Sequence, residues 1–179
     1  MTSTFQMSDL RKFAIHNFRI ITEDLELDPD QDIDLNPNLF QVLLYELFEC
    51  FDMTVKYEIS QIFLNLTCDS KIVNEKLLDV DYFNKILILS YSDSIPLRSN
   101  LILIMGNIMI ENEKEEVDNL ILNVPVVNRI KEILTCEDSK EGLEKIEFEN
   151  MRTNLLWLLE NVVSKTNQER YIKVIKKIN

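Results

Sequence analysis

Arg152-Thr-Asn-Leu-Leu-Trp157-Leu-Leu-Glu-Asn161-Val is an apolar stretch carrying one Trp and, four residues on, one Asn. On a helix, positions i and i+4 share a face, so Trp157 and Asn161 stand one turn apart. The register recurs twice upstream. Arg98-Ser-Asn-Leu-Ile-Leu-Ile-Met-Gly-Asn107-Ile has its Asn at the same offset from an Arg, and Lys56-Tyr-Glu-Ile-Ser-Gln-Ile-Phe-Leu-Asn65-Leu has it at the same offset from a Lys. Three stretches of one design predict an internal repeat. The Asn-to-Asn separations are 42 (65 to 107) and 54 (107 to 161). The first fits a helical repeat of about forty residues. The second fits that period plus an insertion of about twelve, which the polar stretch 137–147 supplies.

Composition supports helices. The chain has 179 residues, 46% of them hydrophobic, with Gly only at 106 and 142 and Pro only at 29, 37, 96 and 125. So few breakers argue against tight-turned β-structure and for helices joined by short polar loops. The periodicity predicts an N-terminal helix over 7–27 with Leu10, Phe13, Ala14, Phe18 and Ile21 on its apolar side, then an acidic loop over 28–37. Further helices are predicted over 38–51, 53–67, 71–80, 82–92, 94–110, 114–122, 125–135, 147–165 and 167–178. Asp28-Pro-Asp-Gln-Asp lacks the glycine and closing Glu of a calcium loop.

The net charge of −12 disfavours nucleic-acid phosphates and anionic lipid and favours basic partners. Cys50, Cys68 and Cys136 lack metal-ligand spacing, and His16 stands alone, so no metal and no cofactor are expected. No phosphate loop and no nucleophile–base pair is visible, so an enzyme is not expected. The longest apolar run, Leu101 to Ile110, is half a membrane span. Met1-Thr-Ser-Thr-Phe-Gln-Met is not signal-like. The expected location is the cytoplasm, the nucleus or both.

The Trp157-Leu-Leu-Glu-Asn161 segment resembles the Trp-x-x-x-Asn of armadillo repeats in the importin alpha proteins, and Leu101-Ile-Leu-Ile-Met-Gly-Asn107 resembles the same helix of another repeat. Val117-Asp-Asn-Leu-Ile-Leu-Asn-Val-Pro resembles the start of a following repeat. The resemblance spans 38–179. It implies an all-α, right-handed helical solenoid of about three armadillo-like repeats, preceded by an N-terminal segment, 1–37. The third helices would be 53–67, 94–110 and 147–165. It implies a concave groove in which Asn65, Asn107 and Asn161 bind the backbone of an extended basic peptide or partner protein. Trp157 would stack on cationic stems, with Gln61 and Leu103 at its position in the other rows. Asp69 and Glu111 would receive basic side chains, and Lys165 ends the third row.

Opposite the groove, Ile59/Leu101/Leu155, Ile62/Ile104/Leu158, Phe63/Met105/Leu159 and Leu66/Ile108/Val162 form a matching apolar face. Two alternatives stay open for the polar rows. Trp157 is either core or groove, and the Asn residues either bind a partner or cross-link the helices internally. The expected function is a protein-binding scaffold. Its alternatives are a permanent subunit of a homodimer or larger complex, joined through the apolar segment Tyr171, Ile172, Val174, Ile175 and Ile178, and a nuclear import adaptor.

Overall fold

In a computed structural model the described residues are 2–23, 35–112, 114–123, 126, 128, 132 and 143–165. Among them all regular structure is helical. The helices are α1 (Thr2–Glu23), α2 (Pro37–Glu49), α3 (Met53–Asp69), α4 (Lys71–Leu77), α5 (Val80–Leu89), α6 (Ile95–Glu111), α7 (Lys114–Asn123) and α8 (Leu143–Lys165). The chain divides into two compact units, 1–73 and 74–179. The division falls within α4.

In the first unit, α1 and α2 both pack on α3. Asn36 caps α2, its side chain accepting from Asn38 N at 2.9 Å, and Pro37 opens the helix where a missing N–H costs nothing. Asp52 caps α3 by accepting from Thr54 N at 3.0 Å and Val55 N at 3.4 Å. Phe40, Leu43, Leu44 and Leu47 recur at helical spacing and are buried, as are Val55, Ile59, Ile62, Phe63 and Leu66 of α3. Phe40 and Phe63 meet edge to face, centroids 5.9 Å apart. The buried Lys56 crosses back to α2 and donates from Nζ to the Phe48 carbonyl at 2.9 Å, satisfying one of the C-terminal carbonyls that a helix leaves open.

In the second unit, α5 packs on α6, and α6 and α7 pack on α8. Ser94 caps α6, with Pro96 in its first turn. Its buried residues run around the cylinder (Leu101, Ile102, Ile104, Met105, Gly106, Ile108), which makes it the unit's central helix. Asn154 of α8 donates to Ser99 Oγ of α6 at 2.7 Å.

The apolar offsets predicted to face the core do so. Ile59, Leu101, Leu155, Ile62, Ile104, Leu158, Phe63, Met105, Leu66 and Ile108 are buried, while Leu159 is half-buried. Other expectations need correction. α1 begins at Thr2, and Leu10, Phe13, Ala14 and Ile21 are exposed, while Phe18 is half-buried. α5 starts at Val80 because Asp79 accepts from Asp81 N at 2.8 Å and caps it there. α8 starts at Leu143, so 143–147 is helix and not inserted loop. Most of the acidic loop, residues 124–125 and most of 127–142 including Cys136, the side chains of Val162 and Lys165, and the whole 167–178 segment lie outside the described residues.

Candidate functional site

The first polar row lies on α3 in the first unit. Tyr57, Gln61 and Asn65 are half-buried and Asp69 is exposed. Gln61 Nε2 donates to Tyr57 Oη at 3.1 Å, one turn away. Asn65 Nδ2 donates to Thr22 Oγ1 of α1 at 3.2 Å. Asn65 is therefore engaged inside the fold, and α1 runs beside the row that was expected to line an open groove. Glu58, on the same side of α3 as Gln61 and Asn65, accepts from Arg19 Nε at 2.7 Å and stands 3.4 Å from His16 Nδ1. Two further ion pairs flank it, Arg11 with Glu46 and Lys12 with Asp52, the second at 2.6 Å.

These pairs shift the groups that make them. The hydrogen bond from Lys12, and then the Thr54 and Val55 amides, hold the Asp52 carboxyl below the usual carboxylate range against a smaller opposing effect of desolvation. The hydrogen bond to Asp52 and its charge raise Lys12. For Arg19, burial alone acts to lower the pKa, but the combined bonds and charges of Glu58 and Glu23 outweigh it and raise the guanidinium.

The second and third rows lie on α6 and α8 in the second unit. Ser99, Leu103 and Asn107 are half-buried and Glu111 is exposed. Thr153 is exposed, and Trp157 and Asn161 are half-buried. The indole of Trp157 lies against Gly106. A Cβ built on that glycine would fall 2.0 Å from Trp157 Cζ3 and 2.8 Å from Cε3 and Cη2. The six-membered ring thus fills the space that Gly106 leaves. Gly106 was the available sequence signal. It is one of two glycines in the chain and the only one within an apolar helix run. Asn161 differs from Asn65, because its buried Nδ2 has no hydrogen-bond partner among the described residues.

Asp69 and Glu111 are the last residues of α3 and α6. A carboxylate at a helix C-terminus faces the negative end of the macrodipole, so helix stability does not explain either acid. Compared with known proteins, the chain stands apart. No protein-family model, no curated protein and no solved structure matches it.

The geometry offers amides, half-buried apolar side chains and exposed carboxylates. Among the described residues no group of His, Cys, Asp and Glu is placed to hold a metal ion. No helix there is long and apolar enough to cross a membrane. A cleft of about 340 Å³ opens between α1 and the α2–α3 turn, beside Tyr45, Glu49 and Phe51. Four of its charged groups form two pairs, Arg11 with Glu46 and Lys12 with Asp52. Arg11 donates both to Glu46 and, at 2.9 Å, to Cys50 Sγ.

Proposed function

We propose that the chain is a non-catalytic protein-binding scaffold, a helical solenoid of about three armadillo-like repeats that receives a basic segment of a partner. One observation carries the reading. Gln61, Asn65, Leu103, Asn107, Trp157 and Asn161 are half-buried at shared offsets on α3, α6 and α8, while the opposite offsets are apolar and, among the described residues, buried except for the half-buried Leu159. A half-buried row of amides can bind a peptide backbone whatever its side chains, because an amide both donates and accepts. The acids closing two of the rows, and the net charge of −12, favour cations on the partner. The proposed contacts are Leu103, Asn107 and Asn161, with Glu111 at the row's end; Asn65 also holds Thr22, and Trp157 also packs on Gly106.

The test is an anisotropy titration of a labelled Lys/Arg-rich peptide. The proposal expects saturable binding that weakens with salt and is lost in Asn107→Ala/Asn161→Ala. Absence of saturable binding, or equal binding by the double variant, refutes it. A second reading, a subunit packed permanently into an assembly, draws on the outward apolar side chains of α1. Leu10 is 64% and Phe13 68% exposed. Light scattering separates the two, since a monomer at all concentrations counts against self-assembly.

A further inference from the structure

We infer that α1 is a latch held by charge, which lifts from α3 as a unit when ionic strength rises, leaves the α2–α3 core folded, and bares Glu58 and Asn65. From Asp9 to Glu23, Thr22 is the one buried residue of α1, and no apolar side chain in that span joins the core. Ile15 and Phe18 face inward but are only half-buried. The helix is instead fastened by its polar residues. Arg11, Lys12 and Arg19 meet Glu46, Asp52 and Glu58, and Thr22 accepts from Asn65.

The complementarity is directional, with cations on α1 and carboxylates on α2, the α3 cap and α3. Such part-exposed pairs are individually weak and are screened by salt. The screening length shrinks from about 30 Å at about 0.01 M to about 3 Å at about 1 M. The attachment of α2 to α3 is of the other kind. Phe40, Leu44, Leu47, Ile59, Phe63 and Leu66 are buried and apolar, and such burial does not weaken with screening. One helix of the unit can therefore detach at a salt concentration that leaves the other two packed. What the detached helix uncovers, the first polar row, matters through the proposed function. The detachment itself does not depend on it.

Hydrogen exchange of the full chain, read by mass spectrometry at constant pH in low and high sodium chloride, tests the latch. Expected is exchange about tenfold faster or more across residues 9–23 at high salt, with residues 59–66 unchanged. Arg19→Glu should produce the same loss of α1 protection at low salt, and Arg19→Glu/Glu58→Arg should restore it. The inference is overturned if α1 keeps its protection at high salt, if α1 and α3 lose protection together, or if Arg19→Glu leaves α1 as protected as before. Because the readout is exchange and not peptide binding, the latch and the scaffold proposal fail separately.

Discussion

Gly106→Ala is the sharpest test of the packing between α6 and α8. In an exposed helix this substitution stabilises by about 0.5–1 kcal/mol, because alanine loses less backbone entropy. Here the new methyl would sit 2.0 Å from one indole carbon and 2.8 Å from two others. The obstructing atoms belong to a rigid ring between two helices, not to the end of a flexible chain, so α8 or the indole must move. Overpacking of this kind costs about 1–3 kcal/mol. Subtracting the propensity gain leaves a net loss of about 0–2.5 kcal/mol. The comparison that isolates the cause is the same change in a Trp157→Ala background. With the ring gone, Gly106→Ala should turn stabilising by about 0.5–1 kcal/mol. The coupling between the sites is then about 1–3 kcal/mol, well above the few tenths seen for independent sites. Urea unfolding followed by far-ultraviolet circular dichroism measures all four proteins. If Gly106→Ala stabilises the natural chain as much as the Trp157→Ala chain, the indole does not occupy the glycine's space and the reasoning fails.

Other outcomes follow from single contacts. Lys56→Met keeps the stem but removes the donor to the Phe48 carbonyl, and it should cost about 1–2 kcal/mol in a denaturant titration. Asn65→Ala should cost about 0.5–1.5 kcal/mol by removing the link to Thr22; no change in unfolding midpoint would show that the link contributes nothing. Asp52→Asn keeps the α3 cap and loses the attraction to Lys12, whereas Asp52→Ala loses both. The alanine variant should be the less stable by about 1 kcal/mol, with α1 amide shifts altered in both. The Lys12–Asp52 tie should also respond to pH at both ends. The depressed Asp52 contributes stability that is present above its unfolded pKa of about 3.9 and lost as pH falls through its lower folded value. The raised Lys12 contributes stability that is full below about 10.4 and lost as pH rises through its higher folded value. The difference in unfolding free energy between the natural chain and Lys12→Met should therefore be constant between those limits and shrink outside them.

Much of the architecture was written in local patterns. Ser94 ahead of Pro96, and Asn36 ahead of Pro37, mark helix starts, and the apolar offsets of α3, α6 and α8 name the buried face. The orientation of α1 was not written that way. Leu10, Phe13 and Ile21 alternate with Ile15 and Phe18, so the helix has apolar residues on two sides, and periodicity cannot choose between them. The choice is made by carboxylates 35 to 40 residues away in sequence, Glu46, Asp52 and Glu58, which attract the other side's cations. Candidate site residues were similarly half legible. Their place on a shared offset was visible, but their partners were not. Thr22 for Asn65 and Gly106 for Trp157 are tertiary pairings, and no spacing within one helix encodes them.

The indole resting on Gly106 also has a spectroscopic consequence. Trp157 is the chain's single tryptophan, so emission excited selectively at its absorption edge reports on the second unit alone. The first unit contributes tyrosines such as Tyr45 and Tyr57, which that light does not excite. A fluorescence melt and a circular dichroism melt of this protein will therefore coincide only if the two units unfold in one cooperative step. A gap between the curves would divide the chain's stability between its halves, and the order of the midpoints would show which half yields first.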